Sequence, residues 1–185
     1  MSLVVNGLPA AKRTIQKWLN QICGDALVDS QSGVVTFGVS STNYKTGCQC
    51  IEEIIQSNRT VTIQPLPYPT AQVPSNPAQI AYFGGGVTHN LTSTYMDSNE
   101  APGIGPDGHV GSDAIVYIDV SNNQKKGYSH RKPMWLVLAH ELTSGHAYHT
   151  VMGTEFQLRV PSERQAIACE NVHALNHGMR PRPLP

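Results

Sequence analysis

The stretch PMWLVLAHELTSGHAYHTVMG, Pro133 to Gly153, decides how the rest of the chain is read. Its apolar run, Met134 to Ala139, is of the kind a fully buried helix carries, and it leads directly into His140 and Glu141. In an HExxH zinc helix the two histidines stand four residues apart and share one face. Both then reach one metal at about 2.0–2.1 Å, with the glutamate beside the water the metal holds. Here Ser144 occupies the fourth position, and the next histidine is His146. Six residues of regular helix separate two side chains by about 9 Å along the axis and about 120° around it. A metal shared by His140 and His146 therefore requires the helix to break between them. Thr143, Ser144 and Gly145 are residue types that favour such a break. Removing two residues there restores an ordinary zinc-protease string. The spacing predicts that i to i−4 bonding is lost between Glu141 and His146, in a widened turn or bulge. Gly145 is expected to take the least usual backbone conformation.

Zinc is the expected cofactor, and a zinc site of this kind needs a third ligand from a later segment. A helix predicted over Ser162 to Asn176, with Ser162 as N-cap and Gly178 as stop, offers Glu163 and Glu170. They lie about two turns apart, so only one is expected to bind. Glu163 is preferred, because Ala166 three residues on lets that helix approach closely. Glu170 remains an alternative; otherwise it is an acid behind the ligands, with Asn171 capping nearby backbone. His149 is a second alternative, since His146 and His149 could hold a metal without His140. Zinc lowers the pKa of its water toward 7, and Glu141 is the expected general base. His89, His109 and His130 read as solvated loop residues, while His173 and His177 follow Glu170. Tyr117, Tyr128 and Tyr148 are all candidates to donate to a developing oxyanion.

Around this core the chain of 185 residues is long enough for one domain with a real interior. Sixteen glycines and thirteen prolines point to a loop-rich α+β fold rather than a helical bundle. Thirteen basic against thirteen acidic residues argue against a nucleic-acid partner. No apolar run is long enough to span a membrane, and no secretory signal peptide is visible. Helices are predicted over residues 9–23, with Ile15, Trp18, Leu19 and Ile22 inward, and over 48–57, with Cys48, Ile51, Ile54 and Ile55 inward. Strands are predicted over Gly33–Val39, 59–66 and Ala114–Val120. Residues 65–77 carry five prolines and read as an irregular connection. Residues 83–113 read as loops with at most one hairpin, and 122–132 as a loop. Cys23, Cys48, Cys50 and Cys169 read as buried free thiols. If the strand over Ala114–Val120 is a sheet edge near the metal, an extended substrate could pair with it.

The string KPMWLVLAHEL, then HAYHTVMG, then ERQAIACENVHALNHGMRPR resembles the NleD-like effector metallopeptidases. These are toxin domains fused to Rhs and VgrG-type secretion proteins. Glu163, Ala166, Glu170, Asn171, Gly178 and Arg182 match the pattern of that family's second helix. GCQCIEEIIQSNRTVTI and GSDAIVYIDV resemble it upstream, so the likeness runs over most of residues 45–182. The two-residue insertion in the zinc motif is the departure. The resemblance implies a small zincin-like metallopeptidase domain, with a short mixed sheet packed on the zinc-motif helix and a C-terminal helix. It implies hydrolysis of a target-cell protein, delivery through a type VI-like bacterial secretion route and an immunity protein in the producer. Residues 1–185 would then be the C-terminal part of a larger secreted protein, with 178–185 an extended tail, acting in the target periplasm or cytoplasm. A zinc-dependent amidase or cell-wall hydrolase, or an inactive metallopeptidase-like binding module, are the other classes the motif allows.

Overall fold

The computed structural model describes residues 2–38, 45–66, 86–90, 102–105, 107–120, 132–143, 146–154 and 159–184. The connection over 67–85, the loop over 121–131 with Tyr128 and His130, and Ser144 and Gly145 lie outside them. The fold is α+β. Strands β1 (Ser2–Val5), β4 (Thr60–Leu66), β6 (Ala114–Asp119) and β5 (Gly86–Asn90) form a mixed sheet in the order β1-β4-β6-β5. β4 runs parallel to β1 and to β6, while β5 runs antiparallel to β6. A separate hairpin pairs β2 (Ala26–Val28) with β3 (Val35–Phe37).

β4 shows why these segments are strands: Val61 and Ile63 are buried, while the alternating Thr60, Thr62 and Gln64 are only half-buried. This is the period of two that a sheet with one core face demands. β6 is covered on both faces. Val116 and Ile118 enter the main core, and Tyr117 joins Leu66 in a second apolar cluster. Two expectations fail here. β6 is an interior strand, so no substrate can pair with its edge; among the described residues the sheet ends at β1 and β5. The segment holding Thr88, read as loop, is the strand β5, because β6 supplies the pairing that its glycine-rich sequence does not announce.

Helix α1 (Pro9–Ile22) buries Ile15, Trp18, Leu19 and Ile22, as its periodicity predicts. Helix α2 (Lys45–Gln56) buries Cys48, Ile51 and Ile54, with Ile55 half-buried. Cys23 and Cys48 are joined by a disulfide, with Cα atoms 5.0 Å apart, and only Cys50 and Cys169 are free thiols. The free-thiol reading is thus wrong for two of the four cysteines. The end of α1 meets α2 across 25 residues of sequence, a proximity that spacing along the chain does not encode.

The motif stretch forms two helices. α3 (Met134–Leu142) is buried along its whole length except at Trp135, as its apolar composition requires. α4 (His146–Met152) follows, and α5 (Arg159–Asn176) closes the fold against α3. α5 begins three residues before the predicted N-cap, so Ser162 lies inside its first turn. Pro161 is tolerated there because first-turn amides have no helical partner. Gly178, with φ +66°, stops it as predicted. A strap formed by residues 102–105 and 107–113 is stitched to the end of α4 by Gly103 N to Gly153 O (2.6 Å) and Ser112 N to Thr150 O (3.0 Å). Gly111 has φ +70°, and a Cβ there would sit 1.8 Å from the Val151 carbonyl oxygen, so only glycine fits.

Candidate metal centre

The helix carrying His140 ends where the sequence requires a break. Thr143 is extended (φ −94°, ψ 117°), and its amide still reaches the Ala139 carbonyl at 2.9 Å, so regular bonding persists two residues beyond Glu141. The helix ends at Leu142 and a second begins at His146; the turn expected over 143–145 includes Ser144 and Gly145, which lie outside the described residues. The stop is pinned by side chains. Thr143 Oγ1 donates to Ala139 O (2.9 Å) and lies 3.2 Å from Cys169 Sγ and 3.4 Å from His173 Nε2, both on α5. The consequence is decisive for the site: the rings of His140 and His146 come to 5.8 Å between centroids, at 62°.

Glu163 completes the group. Its Oε2 lies 3.7 Å from His140 Nε2 and 3.6 Å from His146 Nε2. Ligands of a tetrahedral zinc at about 2.0–2.2 Å stand roughly 3.4 Å from one another. One ligand atom from each of the three residues lies within 4.8 Å of the others, and the group could hold a metal ion. Two imidazoles and one carboxylate are a donor set suited to zinc.

The acid that sequence left as an alternative has another partner. Glu170 Oε2 is 3.0 Å from His140 Nδ1, which fixes the imidazole with Nδ1 toward the carboxylate and Nε2 toward Glu163 and His146. Lys132 pairs with the same oxygen, and Arg182 Nη1 approaches it at 3.7 Å. Glu170 is 2% exposed and engaged on these sides, an arrangement of the kind that orients a histidine ring from behind. Asn171 caps backbone as expected, but that of the tail: its side chain bonds both Arg182 N (2.6 Å) and Arg182 O (2.7 Å). His149 is not in the group; its Nδ1 is 2.7 Å from Thr154 Oγ1.

Burial works against a charged His140, the nearby carboxylates of Glu163 and Glu170 outweigh it, and its pKa is raised. The imidazoles of His140 and His146 beside it hold the Glu163 carboxyl far below its ordinary range. For Glu170 burial pulls upward, and His140 and Lys132 overcome it, so its pKa is lowered. Glu163 and Glu170 are thus kept as carboxylates.

No protein-family model, curated protein or solved structure matches the chain.

The site must therefore be judged by its own chemistry. Glu141, one residue past His140, is 5% exposed, and its Oε2 accepts a 2.6 Å hydrogen bond from Thr88 Oγ1 on β5. Thr88, Lys132 and the ion pairs of Arg182 with Glu163 and Glu170 are the parts that sequence reasoning missed. Thr88 and Lys132 lie 53 and 38 residues from their partners, and nothing local marks either. Of the tyrosine candidates, Tyr148 donates to Glu53 Oε2 (2.5 Å) and its pKa is pushed up by burial and by that carboxylate, so its hydroxyl is already committed. Tyr117 lies in the second apolar cluster. His109 is exposed, as read; His173 is buried, with its pKa lowered to about 4 by burial and by nearby His177.

Proposed function

We propose that this chain is a zinc metallopeptidase domain, with His140, His146 and Glu163 as metal ligands and Glu141 as general base. The observation that supports it above all others is the helix break: an insertion that would destroy an HExxH site is answered by a stop at Thr143 and a restart at His146, so that the two imidazoles and Glu163 converge. A bound zinc would polarise the scissile carbonyl and acidify a water. Glu141, whose Oε2 accepts from Thr88, would be the group that takes up a proton and passes it to the leaving amine. An extended peptide is the substrate form that suits the surroundings. β5 ends the sheet among the described residues, and its Thr88 touches Glu141, so a strand added at that edge runs past the base.

The likeness to NleD-like effectors supports a protein of a target cell as the proposed substrate. On the same likeness, an immunity protein in the producer would restrain the domain. The Cys23–Cys48 disulfide favours an oxidising compartment such as the periplasm over a reducing cytoplasm. The test is metal analysis of the purified chain followed by digestion of a peptide library and of cell-wall material. About one zinc per chain and peptide cleavage that Glu141→Gln abolishes without loss of zinc are expected. Protein that holds no divalent metal and gains no stability from added zinc refutes the proposal. Zinc binding with cell-wall cleavage would make it an amidase, and zinc binding with neither activity would make it a binding module.

A further inference from the structure

We infer that Arg182 is a positioning residue that commits Glu163 to a single metal-facing oxygen and so keeps one coordination position open. This rests on the metal reading above and deepens it.

The two oxygens of Glu163 have different neighbours. Oε2 faces both imidazoles, at 3.7 Å and 3.6 Å. Oε1 lies 3.5 Å from Arg182 Nη2. A carboxylate with both oxygens free can close on a metal with both, which raises the coordination number at the expense of water. A guanidinium holding one oxygen removes that option, and its planar fork suits carboxylates. An open position is what separates a hydrolytic zinc site from a structural one.

Arg182 is held for this role rather than lying there by chance. It belongs to the tail beyond α5, where a side chain would ordinarily be loose. Asn171 on α5 grips residue 182 by both its amide and its carbonyl, at 2.6 Å and 2.7 Å. The other arm of the guanidinium, Nη1, lies 3.7 Å from Glu170 Oε2, the oxygen that orients His140. Arg182 therefore spans two carboxylates set seven residues apart on one helix, and touches the ligand set through Glu163 and, at one remove, through His140. The tail is thus part of the site, although it carries no helix or strand.

Cobalt(II) substituted into the full chain is the probe, because its visible bands are intense at four-coordinate sites and weaken as coordination number rises. The wild-type protein should give the intense spectrum. Arg182→Met should lose band intensity as Glu163 closes on the metal with both oxygens, and Arg182→Lys, which keeps a cation near Oε1, should retain it. Asn171→Ala, which releases the tail while leaving the guanidinium present, should shift the spectrum in the direction of Arg182→Met. It carries the test if that variant does not fold. A wild-type spectrum in both Arg182→Met and Asn171→Ala overturns the inference while leaving the metal reading intact. Failure of the wild-type chain to take up cobalt or zinc removes both.

Discussion

Replacing Cys23 and Cys48 together by alanine tests how the scaffold behind the site is held. The bond closes a loop of 25 residues, for which the loss of chain entropy in the unfolded state amounts to about 3.5 kcal/mol. In a domain of this size each kcal/mol moves the melting temperature by about 2–4 °C, so a drop of roughly 7–14 °C is expected. Both cysteines are buried, at 0% and 4% exposure, so reductant acts slowly on the folded protein and rapidly once it opens. The disulfide ties the end of α1 to α2, and α2 carries Glu53, the partner of Tyr148 on α4. Loss of the bond therefore loosens the support of the helix that begins with His146. Thermal melts of the double variant and of the wild type, each with and without reductant, supply the measurement. A thiol count in denaturant, expected to find only Cys50 and Cys169 reactive in the wild type, supplies the control. If four thiols react, or if reductant moves the wild-type melt no further than it moves the variant, the disulfide does not form and the stability assigned to it is absent.

Glu163→Gln should weaken zinc binding more than Glu170→Gln, whose loss of an orienting partner costs about 10–100-fold; titration against a competing chelator ranks them, and the reverse order makes Glu170 the ligand. His173 is held neutral, with its pKa lowered from 6.5 to about 4, so the unfolded chain binds more protons in that window and stability falls as pH drops through it. The loss at the acid end is roughly 3 kcal/mol; urea melts of His173→Gln between those pH values should show a flatter profile than wild type, and parallel profiles would contradict this. Gly111→Ala should cost more than about 2 kcal/mol, from a strained backbone and a Cβ driven into the Val151 carbonyl; an unchanged melting temperature would show that the strap does not clamp α4.

The sequence by itself determined the elements whose evidence is local. The apolar stripe of α1, the alternation in β4 and the continuous apolar run of α3 each state their own burial, because periodicity reports which face meets the core. The six-residue spacing of His140 and His146 likewise dictated a broken helix, since no regular one can bring them to a common point. Tertiary structure decided the rest. β1, β2 and β5 have three to five residues each and exist because a partner strand accepts their hydrogen bonds. The pairing of Cys23 with Cys48 depends on where two helices meet. Glu163 and Glu170 stand on the same helix with nearly the same local sequence claim on a metal. Which of them faces both imidazoles, and which lies behind His140 with Lys132, is settled by how α5 packs across α3 and by a tail that Asn171 folds back toward both acids. Contacts between residues so far apart are set by the geometry of packed elements, which no short stretch of chain encodes.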